Sequence, residues 1–233
     1  MMTDPNPAEP ASTPLTVRRP ATRVRGGVIV LQEAFGVNHH IVNLCERLAA
    51  EGYVAVAPHL FHRTGDPTLG YEDFASIMPH IEKMTLAGVD ADVDVAVATL
   101  EAGGIPPTSI GVTGFCLGGS ITAYLAGTRR LGAAVTFYGG GIRGRWFIPS
   151  QLELAPRFRT PWLGLYGDLD EGIPVDDVEA LRSAAATAPV PTEVVRYADA
   201  DHGFNCDERA SFHAASATDA WSRMLDWFDT HLD

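Results

Sequence analysis

What most limits the fold of this chain is a rhythm. Short apolar runs recur at 27–31, 54–57, 110–113, 133–138 and 162–166, and a further strand-like run at 193–197 carries Glu193 and Arg196. Segments of helical period lie between or after them, at 41–51, 89–100, 120–130, 175–186 and 210–231. In the first, Ile41, Leu44, Cys45 and Leu48 share one helical face; in the second, Val93, Ala96, Val97 and Leu100 do. Short apolar runs alternating with longer helical segments describe a mostly parallel sheet with helices on both faces, an α/β fold. Between residues 59 and 84 the pattern blurs, with Gly65, Pro67, Gly70 and Pro79 punctuating weak helices.

Length and charge narrow the possibilities further. A chain of 233 residues fits one large α/β unit. The first twenty residues hold five prolines and no apolar stretch of a secretory signal. They read as a flexible arm, 1–20, ahead of a single domain, 21–233. The formal net charge of −12 argues against nucleic acid and against anionic membranes, because both require concentrated positive charge. No apolar run is long enough to span a bilayer. Three cysteines, Cys45, Cys116 and Cys206, do not make a disulfide framework in a chain this long, so a reduced, cytoplasmic setting is expected.

The most specific local signal is Gly114-Phe115-Cys116-Leu117-Gly118-Gly119, between the apolar run 110–113 and a helix. A nucleophile elbow turns sharply from strand to helix and holds its central residue in a strained conformation. Side chains two positions either side of that residue collide, so glycine is favoured there. Gly114 and Gly118 satisfy the requirement around Cys116. The following helix aims its N-terminus at the sulfur, favouring a thiolate and offering N–H groups to an oxyanion.

A cysteine nucleophile needs a base, and the base needs orienting. In the α/β-hydrolase fold the order is nucleophile, acid, histidine, each after a strand. After the run 162–166 come Asp168, Asp170 and Glu171; after the run 193–197 comes His202. His202 is the expected base and Asp170 the expected orienting acid, with the other acids forming a solvated turn. Phe35, Tyr138 and Phe204, close in sequence to these positions, are candidate substrate contacts. His213 and His231 are expected on the final helix, away from the chemistry.

These residues resemble the dienelactone hydrolase family over residues 25–233. The marks are Gln32-Glu33-Ala34-Phe35-Gly36, Gly52-Tyr53-Val54-Ala55-Val56-Ala57-Pro58, the elbow, and Ala200-Asp201-His202-Gly203-Phe204. Most α/β-hydrolases carry serine at the elbow, and cysteine there is this family's habit. The resemblance implies an α/β-hydrolase fold without a separate cap domain. It also implies hydrolysis of a small carboxylic ester or lactone through an acyl-cysteine intermediate. In that scheme Cys116, Asp170 and His202 form the triad and Glu33 controls the thiol. The amides of Ala34 and Leu117 form the oxyanion hole.

One departure concerns the substrate. Family members that hydrolyse dienelactone hold its carboxylate with arginines, one of them four residues after the histidine; here that position is Cys206. The other belongs before the helix at 89–100, yet no arginine occurs between Arg63 and Arg129. The clamp is therefore missing or relocated, with Arg143 and Arg145 as possible substitutes. Thioester hydrolysis or acyl transfer on the same triad is an alternative. A non-catalytic thiol-redox or binding protein is another, of a different class. His39, His40, His59, His62 and His80 crowd the first third, but their spacing matches no metal-binding pattern. No metal and no cofactor are expected, and the sequence leaves the oligomeric state open.

Overall fold

The structure, a computed structural model, describes residues 12–233. Its strands are β1 (Leu15–Arg18), β2 (Gly26–Leu31), β3 (Tyr53–Pro58), β4 (Ile110–Phe115), β5 (Ala133–Phe137), β6 (Trp162–Gly167) and β7 (Thr192–Tyr197). They form one sheet in the order β1-β3-β2-β4-β5-β6-β7, parallel throughout except where β1 meets β3. Every residue of β2 to β6 is buried. That explains why these strands read as continuous apolar runs, since helices cover them on both sides.

β1 corrects the expectation of a flexible arm over 1–20. Leu15 to Arg18 lie antiparallel to β3, with Leu15 opposite Pro58 and Arg18 opposite Ala55. The strand is four residues long and only half-buried. Bounded by Pro14 and Pro20, it is too short to stand out as a periodic run. Residues 1–11 of the expected arm lie outside the described residues.

The helices are α1 (His39–Ala50), α2 (Phe74–Ile81), α3 (Leu86–Ala102), α4 (Leu117–Thr128), α5 (Gln151–Leu154), α6 (Val175–Ala185) and α7 (Ala214–His231). Strand alternation shows which side each covers. A Cβ on Gly111 would meet the Phe228 ring of α7 at 2.8 Å, whereas a Cβ on Gly114 would meet Thr122 of α4 at 2.5 Å. The two glycines are three apart on β4, so α7 and α4 cover opposite faces. Gly27, in register with Ile110, turns toward Leu100 of α3, which puts α3 on the α4 side. Arg47 of α1 stacks on Trp221 of α7, 3.6 Å from the ring centre, joining those two helices on the other side.

Two helix starts differ from the sequence reading. α4 begins at Leu117 rather than 120, because Cys116 itself occupies the N-cap position. α7 begins at Ala214 rather than 210, because residues 207–212 run through turns. His213 is therefore the N-cap residue of α7 rather than part of it, and its Nδ1 lies 2.8 Å from the Ser216 hydroxyl.

Because β2, β4, β5, β6 and β7 are parallel, their carboxyl ends share one edge of the sheet. The segments leaving that edge carry Glu33, Cys116, Tyr138, Asp170 and His202. Ligands in open α/β sheets bind at this edge.

Candidate active site

The backbone at Cys116 has φ 54° and ψ −112°, outside the regions that suit an L-residue with a side chain. Holding it there costs roughly 1–3 kcal/mol, which the surrounding packing must offset. The turn is tight enough that a Cβ on Gly114 would sit 2.1 Å from the Gly118 carbonyl oxygen. One on Gly118 would sit 2.3 Å from that of Leu31. Both glycines are thus sterically required, as the sequence argument expects. The Cys116 N–H donates to Phe137 O at 3.1 Å, and the Thr136 hydroxyl donates to Gly119 O at 3.0 Å. These bonds moor the turn to β5. Leu117, the first residue of α4, has an N–H without an intrahelical acceptor.

His202 Nδ1 lies 2.6 Å from Asp170 Oδ2, and Asp170 Oδ1 accepts from the Gly172 N–H at 2.9 Å. Asp170 is buried and bound on both oxygens. Asp168 is engaged elsewhere: Arg196 grips it through Nε and Nη2, each at 2.7 Å. Glu171 is exposed. Of the three acids after β6, only Asp170 reaches the histidine. Burial alone pulls the imidazolium pKa of His202 down. Negative charge on the Cys116 sulfur and the hydrogen-bonded Asp170 outweigh it, so the ring titrates well above its ordinary value. The edge of Tyr138 meets His202 with ring centres 5.2 Å apart.

The three thiols differ sharply. Burial pushes Cys45 up to about 12 and Cys206 up to about 11. Both are buried, and Cys206 donates to the Tyr71 hydroxyl at 3.2 Å. Cys116 is half-exposed and lines cavities shared with His202. A thiolate reacts only where solvent or substrate reaches it, which singles out Cys116.

Glu33 follows β2 and is fully buried. Its Oε1 lies 3.5 Å from Arg209 Nη1, while Oε2 has no hydrogen-bond partner. Burial pushes its carboxyl upward against the opposing charges of Arg209 and His202. Arg209 itself is 14% exposed and faces the rings of Phe35 and Tyr71 at 5.8 and 5.6 Å. Sequence reasoning missed this arginine, because it looked four positions after His202 and the cation stands seven after it. Among the described residues, Glu33, His40 and Cys206 form a group with metal-ligand donors, whose atoms lie within 4.8 Å of one another. They come from three separate segments, so no sequence spacing reveals them.

The remaining expected contacts divide. Ala34, Phe35, Cys116, His202 and Arg209 line one cavity of about 340 Å³. Arg145 lines it too, and also a smaller one of about 120 Å³ that likewise reaches Cys116 and His202. Arg143 does not join them: it is exposed and paired with Asp177 at 2.8 Å. Tyr138 and Phe204 are fully buried, with ring centres 5.3 Å apart. Tyr138 backs the histidine and Phe204 packs behind Tyr138, and neither lines either cavity. No helix among the described residues is long and apolar enough to cross a membrane.

The sequence profile of the dienelactone hydrolase family matches residues 15–232. A protein of Escherichia coli (strain K12), provisionally named carboxymethylenebutenolidase, is 43% identical over 208 residues, covering 86% of this chain and 75% of its own. The carboxymethylenebutenolidase of Rhodococcus opacus is 29% identical over 210 residues, covering 88% and 81%. A provisionally named dienelactone hydrolase from Klebsiella pneumoniae has a solved structure that superposes with a TM-score of 0.86. It is 41% identical, and the match covers 93% of this chain and 92% of that one. The chain belongs to the dienelactone hydrolase family and is a carboxymethylenebutenolidase-like hydrolase with an α/β-hydrolase fold.

Proposed function

We propose that this member of the dienelactone hydrolase family cleaves small carboxylic esters or lactones through an acyl-cysteine intermediate, with Cys116 as nucleophile, His202 as base and Asp170 as its orienting partner. The observation that carries this reading is the 2.6 Å contact between His202 and the buried Asp170, beside a strained, half-exposed cysteine. The His202 imidazole, held by Asp170 beside that sulfur, is placed to take the thiol proton.

The sulfur attacks the ester carbonyl carbon, and the carbonyl π electrons move to its oxygen. The amides of Leu117 and Ala34 would receive that oxyanion. As the tetrahedral intermediate collapses, the C–O bond to the leaving group breaks and His202 gives its proton to the departing alkoxide. A water molecule, deprotonated by His202, then attacks the acyl carbon. The C–S bond breaks, releasing the carboxylic acid and restoring the thiol–imidazole pair. Asp170 holds the ring so that Nε2 faces the sulfur.

Glu33 is a buried carboxyl near this centre, pushed upward by burial against the charges of Arg209 and His202. Arg145 and Arg209 border the larger cavity and suit a substrate carboxylate there. The family's clamp positions are vacant in sequence, but cations reach the cavity from elsewhere. The reading is tested with p-nitrophenyl acetate and small lactones, on wild type and on Cys116→Ala, with mass spectrometry of the quenched enzyme. An acyl adduct on the Cys116 peptide supports it. Turnover by wild type without any adduct on that peptide, and equal turnover by Cys116→Ala, overturn it.

A further inference from the structure

Five histidines crowd the first third of the chain, and four of them have side-chain partners. His39 pairs with Glu208, His59 with Asp66, His62 with Asp92, and His80 with the Thr64 hydroxyl. His40 differs. It is 2% exposed, and its Nε2 has no hydrogen-bond partner. Glu33 repeats the pattern: it is fully buried and Oε2 is unpartnered, with only the long 3.5 Å contact from Arg209 on Oε1. Native interiors rarely leave polar atoms unmatched, because each has given up its hydrogen bond to water. Two unmatched atoms in neighbouring side chains call for a shared partner.

The third side chain there is Cys206. Donor atoms of Glu33, His40 and Cys206 all lie within 4.8 Å of one another, and all three residues are buried. The fold brings their segments together: Glu33 leaves β2, His40 sits in the first turn of α1, and Cys206 lies in the turns after β7. The Cys206 S–H donates to the Tyr71 hydroxyl at 3.2 Å. Asn38, the N-cap residue of α1, donates its side-chain N–H to the same hydroxyl at 2.9 Å. Tyr71 thereby ties the thiol to the start of α1.

We propose that Glu33, His40 and Cys206 form a binding site for a divalent transition-metal ion of borderline softness, Zn2+ by preference. One thiolate, one imidazole and one carboxylate are a zinc donor set, and a single oxygen donor is too few for Mg2+ or Ca2+. Three protein donors leave a fourth position for water. As the S–Zn bond forms, the Cys206 proton leaves to solvent and the Tyr71 hydroxyl turns to donate to the sulfur. Arg209 stays on Glu33 Oε1 as an outer partner of the carboxylate. Its charge and the positive end of α1 oppose the cation, while the carboxylate and the new thiolate together balance it. The ion joins the end of β2, the start of α1 and the turns after β7, so its binding stabilises the fold. None of the three ligands lines either cavity at Cys116. The site therefore stands or falls independently of hydrolysis at that cysteine.

The test uses the full-length Cys116→Ala protein, stripped with a chelator, so that the Cys116 thiol cannot hold metal. Co2+, which accepts the geometry of Zn2+ and absorbs light, is titrated first. One equivalent binds, and a thiolate-to-cobalt charge-transfer band appears in the near ultraviolet. Adding Cys206→Ser removes the band and weakens binding by about tenfold or more, since loss of an outer partner alone costs about 10–100-fold. Adding His40→Gln weakens binding by a similar factor, and adding Cys45→Ala changes neither band nor affinity. Zn2+ displaces the cobalt and, at about a hundred times its dissociation constant, raises Tm by about 5 °C or more. X-ray absorption of the zinc-loaded Cys116→Ala protein needs no further variant. It shows one sulfur at about 2.3 Å, with nitrogen and oxygen at about 2.0–2.2 Å. A zinc spectrum without sulfur, a cobalt band that survives Cys206→Ser, affinity indifferent to His40→Gln, or no binding at all overturns the site.

Discussion

The carboxyl edge of the sheet and the rim above it are built on opposite terms. At the edge, Cys116 is moored by β5, a Cβ added to Gly114 or Gly118 would sit 2.1 or 2.3 Å from a backbone oxygen, and Asp170 is bound on both oxygens. At the rim, α2 interrupts its own hydrogen bonding with Pro79 and exposes Phe74 and Met78. The loop carrying Arg145 and Trp146 stands open to solvent. The difference teaches a division of labour. On the proposed reading, chemistry needs atoms fixed to fractions of an ångström and falls to the strand ends, while selectivity falls to side chains with room to vary.

The largest expected effect lies at the edge. Cys116→Ala should fold with a Tm close to wild type and lose about four powers of ten in kcat. By contrast, Cys45→Ala and Cys206→Ala should each keep kcat within about threefold, because neither thiol lines the cavities at Cys116. Retention of a tenth of wild-type turnover by Cys116→Ala on p-nitrophenyl acetate removes the cysteine from its assigned role.

Second comes a contrast between glycines. Gly114→Ala forces a Cβ against the Gly118 carbonyl oxygen at 2.1 Å and Thr122 at 2.5 Å. Neither is the free end of a flexible chain, so the turn or the strand must shift, at a cost of about 3 kcal/mol or more. Gly70→Ala at the rim has nothing within 4 Å and no left-handed φ. It should change stability by less than about 1 kcal/mol, in the stabilising direction. Urea midpoints measure both. Equal effects would erase the distinction between a fixed edge and an adaptable rim.

The same division explains what the sequence reveals. The elbow is legible because its requirement is local and steric: two glycines two residues from a cysteine can be read without knowing the fold. His202 and Asp170 are legible because chain order alone carries parallel strand ends to one edge. The structure gives the physical reason for Asp170 over Asp168, since Arg196 comes from β7 to engage Asp168. α2 is poorly legible for the reason that makes it interesting. Its Phe74 and Met78 face a cavity rather than the core, so their spacing does not report a buried stripe. Arg209 is hidden because a run of turns after His202 sets its reach, and turns carry no period. Arg143 fails as a clamp because Asp177 of α6 occupies it, a partner 34 residues away in sequence.

A pH experiment probes the edge from behind. His40 is buried at the start of α1, edge-on to Phe115 with ring centres 6.1 Å apart. Burial lowers its pKa to about 4. Its value in the unfolded chain is about 6.5. Between those pH values the unfolded chain holds a proton that the native fold refuses. Stability is therefore complete above pH 6.5 and falls as pH drops toward 4, by on the order of 3 kcal/mol. His40→Gln should flatten this part of the acid slope, read from urea midpoints at pH 7, 5.5 and 4.5. His202 contributes with the opposite sign. Its native pKa is raised, so its stabilisation is full below 6.5 and fades as pH rises through the raised value. An acid slope identical in His40→Gln and wild type would mean that His40 is solvated.

The smallest effect separates the two arginines at the border of the larger cavity. Arg209 belongs to the fixed region: it is 14% exposed, faces two aromatic rings and stands 3.5 Å from the buried Glu33. Arg145 belongs to the rim, exposed and resting on an indole that is itself 46% exposed. A charge-assisted hydrogen bond in a partly desolvated site is worth about 1.5–3 kcal/mol, whereas an exposed ion pair yields 1 kcal/mol or less, roughly. For a lactone bearing a carboxylate, Arg209→Gln should therefore lower kcat/KM about thirtyfold relative to its neutral counterpart. Arg145→Ala should lower the same ratio by less than about fivefold, and added salt should erode that smaller effect first. The ratio matters more than either rate, because Arg209→Gln also deprives Glu33 of its cation and can slow every substrate alike. If both substrates fall together, Arg209 serves Glu33 and not the substrate. If Arg145→Ala gives the larger drop in the ratio, anion selectivity resides in the rim, and the boundary between the two regions runs on the other side of the carboxylate.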